Sequence, residues 1–479
     1  MDTVKLAVVG AGPGGYAAAF YAADQGIGTA LIDLEATPGG VCLHRGCIPS
    51  KALLHAAGIL DGAQHAASIG LHFGEPEVDL AKLRGWKEGV VKKLTEGLGA
   101  LTRQRKIRYI RGRARLLDAR SLEVRGEDGS SQTLGFENAV IATGSSGVWP
   151  GFLPKLSERV WDSTAALALK RVPKSLLVIG GSYIGLEMGT AYAALGVKVS
   201  VAEMLPGLMP GADRDLVAVV ARRLQSRFQE ILLGVKVVAV SEEADGVRVV
   251  FDGASAEGRE RVYDAVLVSI GRRPNSADLG LEHTRALADE RGFIRTDSQR
   301  RTAEPSVFAI GDVAGEPMLA HKASAEGRVA VEAVLGRPRT FEPKAIPAVA
   351  FTDPELAWCG LNQTQAEARG VTVETVRFPW AACGRAAALD RTDGVTKLIL
   401  EPETGKVLGM GIAGHGAGDL ISEGALAIEM GAKASDLEWC IHPHPTLSET
   451  VMESAAMFYG TCSHLYRPRP TAKPRSPAA

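Results

Sequence analysis

Cysteine is scarce in this chain. The six residues among 479 (Cys42, Cys47, Cys359, Cys383, Cys440 and Cys462) are too few and too scattered for the disulfide framework of a secreted domain. An excess of one charge is also missing. Lys and Arg number 54 against 55 Asp and Glu, a formal net charge of −1, which argues against nucleic acid or a membrane surface as the main partner. No uninterrupted apolar stretch reaches membrane-spanning length, and the N-terminus, MDTVKLAVVGAG, enters a strand-like run without a basic region or cleavage site. A cytoplasmic chain of two to four domains, acting on small soluble partners, is expected.

Glycine is plentiful, at 55 residues, and it clusters where apolar runs end. KLAVVGAGPGGYAAAFYAADQG reads as a buried strand, a tight turn and a helix whose small residues face the sheet. Gly10, Gly12 and Gly15 make the pattern G-x-G-x-x-G. The first allows the turn, the second lets a pyrophosphate approach the backbone, and the third lets helix and strand pack closely. The next strand, TALID, ends on Asp33, placed to accept from a ribose hydroxyl. A second copy, SLLVIGGSYIGLEMGTAYAALGVKVSVAEM, has Gly180 and Gly185 in the outer positions, Ser182 in place of the middle glycine, and Glu203 at the end of its second strand. Two dinucleotides are implied. Because an acid at this place repels a 2′-phosphate, and residues 204–209 contain no base, Glu203 favours NAD over NADP. Two further stretches, Ala139–Ser146 and Ser306–Gly315, read as strand ends facing the first nucleotide, with Asp312 offered to sugar or polyol hydroxyls.

GGVCLHRGCIPSK (39–51) carries the one close pair of cysteines. A zinc site is not expected, since no second Cys pair or Cys/His cluster of ligand spacing accompanies it. On an ideal helix residues five apart lie about 8.6 Å between Cα atoms, beyond the roughly 6.8 Å limit of a disulfide. A bond between Cys42 and Cys47 therefore needs a distorted helix, and Gly46 is where distortion costs least. A strained disulfide is easily reduced, which suits a pair that exchanges electrons with a cofactor on the same domain.

These stretches together resemble the flavoprotein disulfide reductases, and GGVCLHRGCIPSK looks like their redox signature. With HPHPTLSE at 442–449 the resemblance narrows to the dihydrolipoamide dehydrogenase family and runs from about residue 3 to about 465. It implies an α/β fold of two Rossmann-like domains and a C-terminal α+β dimerisation domain. The expected division is FAD binding at 1–148 and 271–340, NAD binding at 149–270 and dimerisation at 341–466. The family's non-covalent FAD would rest on Gly10, Gly12, Gly15, Asp33, Lys51, Ala142, Thr143, Gly144 and Asp312. Its NAD would rest on Gly180, Ser182, Tyr183, Gly185, Glu203 and Gly271. Cys42 matches the interchange thiol and Cys47 the thiolate beside the flavin, while Lys51 and Glu187 match an ion pair near the flavin N5. His444 matches the acid/base and Glu449 its orienting carboxylate, acting on the disulfide of the partner subunit.

The implied activity is oxidation of protein-bound dihydrolipoamide to lipoamide with reduction of NAD+, inside 2-oxo acid dehydrogenase complexes built on an acyltransferase core. Two departures stand out. Pro443 replaces a usual alanine and stiffens the approach to His444, and Tyr183 either packs in the core or gates the nicotinamide pocket. The alternatives are a reductase of another small disulfide and a mainly structural flavoprotein subunit. The tail RPRPTAKPRSPAA (467–479), basic and proline-rich, is expected to be disordered.

Overall fold

Leu6, Ala7, Val8 and Val9 offer no polar side chain to water on either side, as a strand buried on both faces requires. They close the strand Asp2–Val9, the centre of a parallel set in which Thr29–Asp33 lies on one side and Ser131–Ile141 on the other. Arg108–Arg111 extends the set beyond Thr29–Asp33, and Val307–Ala309 pairs in parallel with Ser131–Ile141. The long strand Ser131–Ile141 also turns back, antiparallel, through Ser121–Arg125 and Arg113–Asp118. Side chains alternate across this sheet. Ala7, Val9, Ile32 and Ile141 face a core with Leu116 and Leu122, while Leu6, Val8, Leu31 and Phe308 face Ala18, Ala22 and Ala330 of two helices. Those helices, Pro13–Asp24 and Ala320–Val334, approach so closely that a Cβ on Gly14 would stand 3.0 Å from the Cβ of Ala323.

This computed structural model describes residues 2–253 and 259–466, so the tail expected at 467–479 lies outside the described residues. The chain divides into two units. The sheet above belongs to the first, made of Met1–Gly151, Trp161–Val172 and Ser269–Glu342, and the second comprises Phe152–Val160, Pro173–Val268 and Pro343–Ala479. In the second unit Glu230–Leu233, Lys198–Glu203, Ser175–Ile179 and Ala265–Val268 run parallel in that order. The helix Tyr183–Ala194 follows the first of them in the chain, and an antiparallel ribbon of Lys236–Glu242, Val247–Asp252 and Glu260–Tyr263 follows later. The same unit carries an antiparallel sheet in the order Ala348–Ala350, Glu355–Gly360, Val407–Gly414, Val395–Leu400, Glu374–Pro379. Helices Ala417–Met430 and Glu449–Tyr459 contribute to its core, which centres on the fully buried Trp380. The α/β class with an added α+β module is therefore observed. Among the described residues no helix is long and apolar enough to cross a membrane.

One buried cation ties the antiparallel sheet of the second unit to the start of a helix. Lys397, 1% exposed, lies 2.8 Å from Asp213 Oδ2 and 3.1 Å from Asp215 Oδ2, at the start of helix Arg214–Arg227. Asp213 is itself buried. Removing only the cation leaves carboxylates in a site with little water, a loss of about 3–5 kcal/mol. Lys397→Met should therefore lower the thermal midpoint of the protein markedly, and adding Asp213→Asn should restore part of it. Equal midpoints for Lys397→Met and wild type, read by circular dichroism, would show that the pair contributes nothing.

Candidate active site

The parallel register of the first unit sets four strand ends side by side. Gly10 N–H donates to Ile32 O at 2.8 Å, Ala142 N–H to Val9 O at 2.7 Å and Ile310 N–H to Ile141 O at 2.9 Å. Asp33, the glycine turn, Ala142–Gly144 and Gly311–Asp312 thus share one carboxyl edge, where open α/β sheets bind ligands. Gly10 and Gly15 are required there. Gly10 has φ +101°, and a Cβ on it would meet Ala142 O at 2.3 Å, while one on Gly15 would meet Gly10 O at 1.7 Å. A Cβ on Gly12 would have only the Gly40 Cα within reach, at 3.9 Å. Gly12 N-caps the helix Pro13–Asp24 without a side-chain cap, so the turn offers N–H groups and a helix dipole to an anion. Asp33 is already engaged: Oδ2 accepts from Ala11 N–H at 2.5 Å and Oδ1 from Glu35 N–H at 2.9 Å. Each oxygen keeps a second lone pair for a ribose hydroxyl. The residues fit a dinucleotide.

Asp312 is held by residues that the sequence reading did not single out. Its Oδ2 accepts from Ser145 Oγ, and Ser145 in turn accepts from Arg272 Nε at 2.7 Å. Thr143 and Asn275 clamp each other through side chain and backbone, at 2.8 and 3.0 Å. Gly144 has φ +70° and its carbonyl accepts from Asn275 N–H. Below this loop Lys322 donates to Gly315 O at 2.8 Å, and Glu326 accepts from Gly311 N–H at 2.6 Å while pairing with Lys322 and Arg300. A signal existed in GRRPN, which follows an apolar run as closely as the motifs that were read. Gly271, expected at the NAD site, lies in the first unit, where its carbonyl accepts from Val148 N–H.

The cysteines stand on two helices. Gly40–Arg45 ends at Gly46, whose φ of −140° and ψ of −116° break the helix, and Cys47–His65 begins at once. The break brings the side chains together, and the Cys42 thiol hydrogen-bonds Cys47. That bond, with burial added, pushes the Cys42 thiol far above the ordinary range, against the opposing charge of Lys51. The segment is seated on the nucleotide turn, since Gly39 N–H donates to Ala11 O at 2.9 Å and a Cβ on Gly40 would lie 2.5 Å from the Gly12 Cα. Tyr16, on the first helix, has its hydroxyl raised by burial and by the charges of Cys42 and Cys47.

The second unit repeats the cradle. Gly180 has φ +108° and Ser182 a φ of −89°, a value open to any residue, so serine in the middle position carries no backbone strain. Its hydroxyl makes no cap bond to the helix Tyr183–Ala194, in which Tyr183 is the first residue and Gly185 is buried. Glu203 Oε2 accepts from Gly181 N–H at 2.6 Å and Oε1 from Leu205 N–H at 2.7 Å. Glu187, buried on that helix, accepts from Phe351 N–H at 3.0 Å. Lys51 belongs to the first unit and Glu187 to the second.

His444 and Glu449 meet in the second unit, Nδ1 to Oε1 at 2.9 Å. A carboxylate only accepts, so Nδ1 carries the hydrogen and Nε2 is the basic nitrogen. The imidazole is 73% exposed and Glu449 15%. The other Glu449 oxygen accepts from Thr446 N–H at 2.8 Å. Burial opposes ionisation of Glu449, but Thr446 N–H and His444 outweigh it and hold the carboxyl below its usual range. His442, almost fully buried, ties the loop to Glu423 Oε1 and to Cys440 O, both at 2.8 Å. One turn beyond Glu449, Glu453 holds His464 and Cys462.

Comparison with known proteins gives consistent matches. A family model described as pyridine nucleotide-disulphide oxidoreductase covers residues 4–327, and the dimerisation-domain model of the same family covers 346–455. The chain is 47% identical over 461 residues to the dihydrolipoyl dehydrogenase of Vibrio cholerae, covering 96% of this chain and 97% of that one. It is 45% identical over 464 residues to that of Bacillus subtilis, covering 96% and 97%. Among solved structures, LpdA from Mycobacterium tuberculosis superposes with a TM-score of 0.88 at 26% identity, covering 95% and 99%. The HOCl-induced flavoprotein disulfide reductase RclA from Escherichia coli gives 0.84 at 28%, covering 95% and 99%.

The depressed Glu449 carboxyl makes an acid-side prediction. A group whose folded pKa lies below its unfolded value stabilises the fold above the unfolded value, near 4.5 here, and loses that stabilisation as pH falls through the folded one. Wild type should therefore unfold at higher temperature than Glu449→Gln at pH 7, and the gap should close below about pH 4. A gap that is constant from pH 7 to pH 3 would refute this.

Proposed function

The chain belongs to the pyridine nucleotide-disulphide oxidoreductase family, and on that premise we propose that it oxidises protein-bound dihydrolipoamide to lipoamide and reduces NAD+ to NADH. The observation that carries the proposal is the Cys42–Cys47 contact across Gly46, seated on a dinucleotide cradle of the same unit. The near full-length similarity to dihydrolipoyl dehydrogenases supports the choice of dithiol. FAD is assigned to the first cradle and NAD to the second. Carboxylates that have already been oriented by backbone N–H groups meet the ribose hydroxyls, and Glu203 meets the ribose that would carry a 2′-phosphate in NADP. The domain division given by the resemblance is retained.

The chain's own residues account for the thiol chemistry. With Cys42 and Cys47 joined as a disulfide, His444 Nε2 takes the proton from one thiol of dihydrolipoamide, and Glu449 holds the imidazolium that results. The thiolate attacks the sulfur of Cys42, and the bond to Cys47 breaks, leaving Cys47 as thiolate. The second substrate thiol then displaces Cys42, which releases lipoamide and leaves the chain's dithiol holding two electrons. Flavin, when bound, would carry those electrons to NAD+, so one dithiol and one NAD+ yield one disulfide, NADH and a proton. Lys51 and Glu187 are assigned to the flavin's surroundings.

A homodimer with shared sites is proposed, as a component of a 2-oxo acid dehydrogenase complex in the cytoplasm. Within the matched dimerisation domain Leu426, Met430, Trp439 and Ile441 are well exposed, Ile441 at 94%, an apolar display that suits burial against a second copy.

Purified holoenzyme should turn over free dihydrolipoamide with NAD+ far better than with NADP+. Cys42→Ser should abolish this yet keep a long-wavelength absorption from a Cys47 thiolate beside flavin, and Cys47→Ser should lose both. Turnover by Cys42→Ser, or the reverse pattern of bands, would overturn the assignment. A second test addresses the shared site. Cys42→Ser and His444→Ala, each inactive as a homodimer, should recover roughly a quarter of wild-type activity when unfolded and refolded together with FAD, since half the dimers are mixed and each has one intact site of two. Background activity, despite subunit exchange demonstrated by mass, would place His444 at its own subunit's disulfide.

A further inference from the structure

The segment after Glu203, MLPGLMPGAD (204–213), forms no helix or strand, yet it is closed on itself. Leu208 and Met209 are buried, at 2% and 3% exposure, and Met209 adopts φ +47°, a left-handed conformation that a residue with a side chain rarely takes. One guanidinium compensates. Arg214 Nη1 donates to Leu208 O at 2.7 Å, Nη2 donates to Met209 O at 2.5 Å and to Ala212 O at 2.6 Å, and Nε donates to Ala212 O at 3.2 Å. Four of the five N–H bonds of an arginine are therefore spent on carbonyls of this loop. The loop is docked on the glycine turn as well. Met209 N–H donates to Gly181 O at 3.0 Å, and a Cβ on Gly181 would stand 2.6 Å from Leu208 Cδ2.

We propose that Arg214 is a positioning residue for the adenosine half of the pyridine nucleotide. It moulds residues 204–213 against Gly181, whose N–H holds Glu203, and so keeps the ribose acceptor in place. Because its donors face inward to carbonyls, this arginine, the first cation after the acid in sequence, is withheld from a 2′-phosphate. Coenzyme choice at this site then rests on a committed arginine as well as on a carboxylate. Lysine cannot substitute, since a compact ammonium with three donors does not span three carbonyls as a planar fork does. The inference rests on the assignment of the second cradle to NAD.

The test uses the flavin-loaded dimer and ADP-ribose, which has the adenosine ribose and pyrophosphate but no nicotinamide. Calorimetric titration should show ADP-ribose binding about tenfold weaker to Arg214→Met than to wild type, with Arg214→Lys between them. KM for NAD+ should rise in parallel while kcat stays within about twofold, the sign of lost ground-state binding. Gly207→Ala, whose Cβ would fall 2.8 Å from Arg214 Nη1, is a milder displacement and should weaken ADP-ribose binding in the same direction, which keeps the test open if Arg214→Met folds poorly. Unchanged ADP-ribose affinity in these variants, or a fall in kcat with KM unchanged, would overturn the proposal. If wild type itself fails to bind ADP-ribose, the assignment of the cradle to NAD is what falls.

Discussion

In both units a carboxylate at the end of the second strand holds the glycine turn that follows the first. Asp33 Oδ2 takes the N–H of Ala11 and Glu203 Oε2 that of Gly181, the residue just after the first motif glycine in each case. The other oxygen of each acid takes the N–H two residues ahead of itself, Glu35 or Leu205. Charge-assisted bonds of this kind are short and directional, so they fix turn and strand end before any ligand arrives. Asp33 and Glu203 differ by one methylene and still make the same two bonds. What repeats is the placement of charge, and in both units the first helix turn has no side-chain cap, at Gly12 and at Ser182. An anion site results from what the turn leaves unsatisfied.

This constraint explains which parts of the molecule were legible in sequence. The glycine turns, their strands and the terminal acids lie within some thirty residues, and their spacing carries the geometry. Gly46 was legible for a similar local reason, because two cysteines five apart cannot meet on an intact helix. The long-range polar supports were not. Ser145 meets Asp312 across 167 positions of sequence, Arg272 meets Ser145 across 127, and Lys397 meets Asp215 across 182. No periodicity marks such partners, since each is one polar residue in an otherwise apolar or loop segment. Arg214 was passed over for another reason: it reads as the first residue of a helix, and its task is local but lies backwards, on carbonyls two to six residues earlier.

Asp312 shows how burial and position act together. Its loop is pinned from below by Lys322 and Glu326, with Arg300 as a third charge against the same carboxylate. Buried charges of this sort add little net stability compared with apolar packing. They do fix a backbone path, and here the path is that of Gly311–Asp312, which has to present a carboxylate at the strand edge. Ser145, itself held by Arg272, donates to the same side chain. A loop that was free to move would leave the acid in water, where its orientation would have to be set at the moment of binding, at an entropic cost.

The exposure of His444 completes the physical picture of the proposed mechanism. His444 stands 73% exposed, with only Nδ1 tied down, while the carboxylate behind it is well covered. The loop is stiffened by Pro443 and anchored through His442 to Glu423, so the ring is oriented although it is open to solvent. An oriented and exposed base is suited to work across an interface, where in the proposed dimer a second subunit would supply the cover and the sulfur. The exposed Trp439 and Ile441 flank the same loop. The apolar contact that would close the dimer and the proton acceptor that would act through it are therefore built into one short stretch, Trp439 to His444.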